Sequence, residues 1–206
     1  MIQGNLQKEK EDKIYKEALK EFAQNGYDKG STNTIVKEAG ISKGALFNYF
    51  KNKRRLYLYV VNRALKELEQ VFLEGIKSVS CDLFERIAEI CEYKVKLALK
   101  FPMESTITME AFGVKFEDFQ DELKSEYDRY VEISNKLLLE NIDYSKFKEE
   151  VDVKAVFEML LYISEGFSKK IMATYGSNYN VIMNNREKIN KEFSRFVEII
   201  KNSVYK

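Results

Sequence analysis

One proline, Pro102, stands in 206 residues whose apolar side chains recur at spacings of three and four. That spacing places apolar groups along one face of a helix, whereas a half-buried strand requires strict alternation, and no alternating stretch competes. Nine glycines leave few further breaks. The chain therefore reads as all-α, with about nine helices.

The breaks divide the helical pattern. Ile14, Ala18, Leu19 and Phe22 share one face of a first helix that ends near Asn25-Gly26, where glycine can take a left-handed conformation. Ser31 caps a second helix carrying Ile35, Val36 and Ala39, and Gly40 closes it. Ser42 caps a third that runs only from Lys43 to Tyr49 before Lys51-Asn52-Lys53 interrupts. Leu56, Val60, Ala64, Leu68 and Phe72 mark a longer fourth helix, fraying over 75–80. A fifth, from Phe84 to Phe101, is stopped by Pro102, which lacks an amide donor and clashes with the preceding turn. A short helix through Met109 and Phe112 follows, then an amphipathic one from Phe119 to Asn141 and a polar connection over 141–152. Two last helices, through Val153 to Tyr175 and Ile189 to Val204, are separated by Gly176-Ser177-Asn178 and an Asn-rich stretch.

Charge is unevenly placed. Residues 1–66 hold 14 Lys and Arg against 7 Asp and Glu, a balance of +7, and the remainder carries −6. A basic first third before an acidic remainder is the footprint of a chain whose first module meets phosphate, although a solvated basic face gives the same split. No stretch approaches the ~18 apolar residues of a membrane span, and the N-terminal residues lack the apolar core of a secretory signal, so a cytoplasmic protein is expected. There is no histidine, and Cys81 and Cys91 are the only cysteines. No metal site, disulfide or cofactor is expected, and core packing or a redox role remains for the thiols. Without histidine, a phosphate-cradling glycine loop or a nucleophile elbow, the chain reads as a non-enzyme.

The run from Phe22 to Leu56 contains two short helices meeting at Ala39-Gly40-Ile41, followed by a basic cluster. A tight glycine turn, a capping serine and a short helix with small residues leading form a probe that fits the DNA major groove. Ile14, Ala18, Phe22, Gly26-Tyr27, Ile35, Ala39-Gly40-Ile41-Ser42-Lys43-Gly44, Leu46-Phe47-Asn48-Tyr49-Phe50, Lys53 and Leu56 together resemble the TetR-type transcriptional regulators. The resemblance covers about a quarter of the chain; the rest fits by helix count and order. It implies a helix-turn-helix DNA-binding domain over 1–52, a connecting helix over 53–80, and a larger ligand-binding and dimerisation domain over 81–206. It further implies a homodimer on double-stranded DNA that represses from a palindromic operator and is released by a small-molecule effector.

Carried over by position, Lys43, Gly44, Ala45 and Asn48 lie on the exposed face of the recognition helix. The Asn48 amide suits adenine in the major groove, with a phosphate contact or plain solvation as the alternative, and Ala45 suits a thymine methyl. Tyr49 and Lys53 match phosphate contacts, and Ser31 and Thr32 sit where the second helix presents its amides to phosphate. Phe47 stands where the family usually has tyrosine, removing one phosphate-contacting hydroxyl, and Val36 replaces a usual alanine. Lys51, Lys53, Arg54 and Arg55 read as phosphate contacts or as a solvated cluster at a helix boundary. Phe22, Ile35, Leu46 and Phe50 read as core.

In the remainder, Phe101, Met103, Met109, Phe112, Tyr130, Phe157 and Tyr162 could line an apolar pocket for a hydrophobic or cationic ligand, or serve as core. Glu165 would face a cationic ligand if buried; an i,i+4 pair with Lys169 on a solvated face is the alternative. Gly166, Phe193, Phe196 and Ile200 form the expected dimer interface of the last two helices. The competing functions are a ligand-sensing interaction protein and a DNA binder without operator preference.

Overall fold

The computed structural model describes residues 2–76, 78–176 and 179–206; side chains are described from residue 8 onward, except at 77, 114 and 177–180. Its helices are α1 (Ile2–Lys29), α2 (Thr32–Ala39), α3 (Lys43–Phe50), α4 (Lys53–Gly75), α5 (Leu83–Lys100), α6 (Pro102–Met109), α7 (Gln120–Leu139), α8 (Val153–Tyr175), α9 (Tyr179–Asn184) and α10 (Arg186–Val204). A π-helical turn, Glu110–Val114, and a 3-10 turn, Glu117–Phe119, continue from α6 into α7. Among the described residues the only β pairing is an isolated bridge between Phe147 and Tyr205. The all-α class is as expected. The count differs by α9, a six-residue helix within the polar stretch read as a connection, too short and Asn-rich to show an apolar stripe. Ser177 and Asn178 of the expected turn lie outside the described residues.

The chain gathers into two compact units, Met1–Val71 with Leu97–Leu123, and Phe72–Lys96 with Lys124–Lys206. Residues 97–123, read from sequence as part of the C-terminal domain, pack in the first unit. The reason is apolar: Ile107, Ala111, Phe119 and Leu123 are fully buried in the same cluster as Ile14, Phe22, Ile35, Leu46, Leu56 and Val60. Tyr57 centres this core, its ring 5.2 Å from Phe22, 4.9 Å from Tyr27 and 5.1 Å from Phe119. Edge and tilted contacts of this kind add to area burial through the ring quadrupoles.

Two carboxylates organise the first unit from within. Glu110 in the π turn accepts the Tyr27 amide at 3.1 Å and the Tyr57 hydroxyl at 3.2 Å. Its approach depends on Gly26, where α1 is interrupted at φ 70°, ψ 176°, a region open only to glycine. A β-carbon at Gly26 would sit 2.9 Å from Glu110 Oε1. Burial pushes the Glu110 carboxyl above its usual value, against the opposing effect of these hydrogen bonds. Glu21 accepts the Ser31 amide at 2.9 Å and the Asn25 side chain at 3.0 Å, fixing the link from α1 to α2.

The second unit buries Leu83, Phe84, Ile142, Phe147, Val156, Leu160, Ile200 and Val204 together. Asp82 caps α5, accepting the Phe84 and Glu85 amides at 2.9 and 3.0 Å, and its other oxygen accepts Lys146 at 2.8 Å. The buried Arg86 guanidinium donates to the carbonyls of Ser80 at 2.6 Å, Leu137 at 3.1 Å and Glu140 at 2.6 Å. It thereby supplies the donors that the α7 C-terminus lacks.

Candidate nucleic-acid interface

The two short helices are built by their own termini. Ser31 Oγ accepts the Thr34 amide at 3.3 Å to start α2. At its end Gly40 is left-handed (φ 64°, ψ 36°), its amide donates to Lys37 O at 3.1 Å, and Ile41 N donates to Val36 O at 3.0 Å. This 5→2 and 6→1 pair is a Schellman motif, which reverses the chain in a few residues and needs the glycine. Ser42 Oγ then accepts the Ala45 amide at 3.1 Å and starts α3. Leu46 is fully buried and Phe50 packs against the same core, so α3 is docked by one face. Lys43, Gly44, Asn48 and Tyr49 are exposed on the other, with Ala45 half-buried between the two.

Two features of that exposed face lack any internal cause. The Asn48 amide makes no hydrogen bond to the described residues. Gly44 sits inside a helix with negative φ, and the nearest atom to an added β-carbon would be Ser42 Oγ at 3.9 Å. Glycine in a helix costs up to about 1 kcal/mol relative to alanine, so its presence calls for a reason outside the subunit.

Behind the probe, α3 ends at Lys51, whose φ of 60° and the bond from Asn52 N to Phe50 O at 2.7 Å describe a γ-turn with positive φ. Asn52 Oδ1 accepts the Arg55 amide at 2.8 Å and caps α4, a role the sequence pattern did not reveal because the cap lies inside a charge run. The basic cluster then divides. Arg54 is paired with Glu122 at 2.6 and 2.8 Å, donates to Asp118 O at 2.7 Å and lies 4.4 Å over the Phe119 ring. The Glu122 carboxylate is held below, and the Arg54 guanidinium above, their ordinary values by that hydrogen-bonded pair. Arg54 is thus an intramolecular tie rather than a phosphate contact. Lys53 donates to Asp28 O at 3.0 Å and lies 5.0 Å from the Tyr27 ring centre, leaving two of its three N–H donors for other partners. Lys51 and Arg55 are exposed. Ser31 and Thr32 are half-buried at the α2 N-terminus, with the Ser31 hydroxyl already accepting its cap bond.

A helix pair so capped, with a short probe and a tie from α4 back to α1, coincides in sequence with a known domain. The model of the tetR family of bacterial regulatory proteins matches residues 14–60, from Ile14 in α1 through α3 into α4. By this match residues 14–60 are a tetR-family domain. An HTH-type transcriptional regulator of Staphylococcus aureus is 25% identical over 160 residues, covering 70% of this chain and 84% of that protein. The HTH-type regulator YuxN of Bacillus subtilis is 51% identical over 55 residues, 27% of this chain and 19% of its own. Among solved structures, the regulator FadR of Bacillus subtilis, in complex with stearoyl-CoA, matches with a TM-score of 0.58 at 18% identity, covering 91% of this chain and 96% of that one. A TetR-like regulator from Rhodococcus matches with a TM-score of 0.56 at 16% identity over 93% of each. At these identities the structural matches speak for the fold.

Outside the matched domain the expected pocket residues fall into both units: Phe101, Met103, Met109 and Phe112 in the first, Tyr130, Phe157, Tyr162 and Glu165 in the second. Phe112 packs on the first core and Phe157 is buried in the second unit. Tyr162 is 70% exposed, and Glu165 is paired with Lys169 at 3.1 Å across a solvated helix face. The reading of Glu165 as a buried partner for a cation is therefore corrected to the i,i+4 pair. Of the expected dimer residues, Phe193 and Phe196 pack on Phe167 at 5.2 and 6.4 Å, and Ile200 is buried in the subunit's own core. Ile200 is corrected from interface to core, because the period that puts Phe196 on the α8 face puts Ile200 one turn further along it. Gly166 is exposed, with nothing within 4 Å of an added β-carbon. Cys81 and Cys91 are free thiols, and among the described residues no cluster of His, Cys, Asp and Glu could hold a metal ion. Nor, among the same residues, is any helix long and apolar enough to cross a membrane.

Proposed function

We propose that this chain is a homodimeric repressor that reads a palindromic operator through the exposed face of α3 and leaves it when a small molecule binds the C-terminal helical region. Residues 1–52 are assigned as the DNA-binding domain, 53–80 as the connecting helix and 81–206 as the effector and dimerisation domain. The observation that carries the reading is the α3 face itself. It offers an unpaired amide at Asn48 and a helix glycine at Gly44 whose missing side chain nothing in the subunit requires. An amide supplies the donor and acceptor that adenine presents in the major groove, and a glycine lets the helix backbone approach a phosphate or base edge. Tyr49, Lys43, Lys51, Lys53 and Arg55 surround that face as phosphate contacts, with the Ser31–Thr32 end of α2 beside them.

A two-fold dimer follows from the operator geometry, since one eight-residue helix reads only a few base pairs and two of them specify a site. Support for its location lies in α8, which leaves Met159 (43%), Tyr162 (70%) and Gly166 exposed, and in α10, which leaves Ile199 (57%) exposed. Release by an effector is supported by the FadR similarity, a regulator solved with an acyl-CoA bound.

Selection of duplexes from a random library near physiological salt tests the proposal, because nonspecific binding is suppressed there. The expected outcome is an enriched palindrome bound by the dimer, with Asn48→Ala lowering discrimination at one position per half-site by about 1–3 kcal/mol. Arg55→Ala is expected to weaken all sequences together and to reduce the salt slope. An absence of enrichment would favour the interaction-protein or nonspecific-binder alternatives.

A further inference from the structure

Lys13 is an exposed residue of α1 whose ammonium reaches the turn between α2 and α3, 3.4 Å from the position a β-carbon on Gly40 would take. Nothing in that turn requires a cation. The last carbonyls of α2, at Val36 and Lys37, already accept the amides of Ile41 and Gly40 at 3.0 and 3.1 Å. Among the described residues Lys13 has no carboxylate partner and no hydrogen-bond acceptor, and Glu17, one turn further along α1, forms no pair with it. Its three N–H donors are left without an internal acceptor.

The carboxylates of the same stretch are engaged elsewhere. Glu11 accepts the Tyr59 hydroxyl at 2.8 Å, Asp12 pairs with Arg63 at 2.7 Å, and Glu21 is buried on the Ser31 amide. Acids that the sequence sets among the lysines of α1 are thus tied to α4 and to the α1–α2 link. Positive charge is left uncompensated at the turn, two residues before the Ser42 cap of α3. Cations gathered without counter-charge repel one another, and a polyanion relieves that repulsion. Lys51, Lys53 and Arg55 flank the C-terminal end of α3, whereas Lys13 stands at its N-terminal end, where the sequence pattern placed no phosphate contact outside the helix pair.

We propose that Lys13 is a DNA phosphate contact, so that the footprint of the chain extends from α3 through the α2–α3 turn onto α1. A helix that enters the major groove by its exposed face carries the turn before it to the edge of the groove, where phosphates border the site. A compact ammonium on a flexible four-carbon stem suits one phosphate oxygen there. The probe is then held to the backbone from both of its ends, and Lys13 fixes its orientation without reading a base. The inference rests on the DNA-binding reading above and adds a contact from a helix outside the helix pair.

The test is the salt dependence of binding by the full chain, to the selected duplex and to an unrelated one, by fluorescence anisotropy between about 50 and 200 mM salt. Loss of one phosphate contact lowers the slope of log K against log salt by about 0.9, which is about eightfold in affinity at about 0.1 M relative to about 1 M. Lys13→Ala should show that fall on both duplexes, leaving the ratio of their affinities unchanged, and Lys13→Arg should restore it. Lys191→Ala, at an exposed α10 lysine, removes the same charge away from the probe and should leave the slope as it was. The melting temperature of Lys13→Ala should stay within about 2 °C of the parent, since the side chain has no internal partner. An unchanged slope, or an equal fall in Lys191→Ala, would overturn the contact; a lower melting temperature with an unchanged slope would make Lys13 a support of the α2 terminus instead. An operator bound with a slope indifferent to Lys13→Ala sinks this inference alone, and binding of neither duplex sinks the regulator reading with it.

Discussion

Replacing Gly44 by alanine should move stability and DNA binding in opposite directions. The position is the second residue of α3, its φ is not positive, and the added methyl meets only Ser42 Oγ, at 3.9 Å. Ordinary van der Waals contact costs nothing there, so the fold gains from the lower backbone entropy of the unfolded chain. The full interior-helix difference is about 1 kcal/mol, and at the first turn about half of that is expected, so the gain is about 0.5–1 kcal/mol. For a chain of this length that raises the melting temperature by about 1–4 °C. The same methyl stands on the face that meets the groove. If the backbone at Gly44 approaches DNA closely, the methyl displaces the probe, and the cost is that of losing one or two contacts, about 1–3 kcal/mol or tenfold to a hundredfold in Kd. Differential scanning calorimetry and fluorescence anisotropy on the selected duplex measure the two effects on one preparation. A higher melting temperature with unchanged affinity would refute the close approach at Gly44. A lower melting temperature would refute the open space seen around it.

Three further outcomes are expected. Glu110→Gln keeps an acceptor for the Tyr27 amide and removes a carboxyl whose folded pKa is raised by burial. Such a group contributes stability that is full below its unfolded pKa and is lost as pH rises through the folded one, so the variant should show a flatter denaturant midpoint as pH rises above the ordinary glutamate range. Arg86→Ala strips donors from the Ser80, Leu137 and Glu140 carbonyls. Thermal melts should fall by about 6–12 °C, for about 3 kcal/mol lost, and a change within about 1 °C would contradict the buried network. Tyr162→Asp places a charge among the exposed α8 residues Met159, Tyr162 and Gly166. Light scattering should then report monomers, and an unaltered dimer would move the interface elsewhere.

The helical class, the Gly40 turn and the serine caps of α2 and α3 were legible from residue order because each is a local interaction: a period of three to four, a left-handed glycine, a hydroxyl reaching three residues on. The exposed face of α3 was legible for the same reason, since Leu46 and Phe50 fix which side docks and so leave Asn48 and Gly44 outside. What sequence could not determine is every pairing across large separations. Arg54 belongs to a basic run, and only the approach of Glu122 and Asp118, more than sixty residues away, turns it from a phosphate contact into an intramolecular tie. Glu110 meets Tyr27 and Tyr57 through a π turn that no period announces, and Gly26 is required because of where that carboxylate arrives. Tyr130 was one aromatic among many until Lys94 was placed against its hydroxyl. Periodicity assigns each residue a face, but which faces meet is decided by burial of apolar surface from the whole chain at once, and the polar partners are whatever that packing brings into reach.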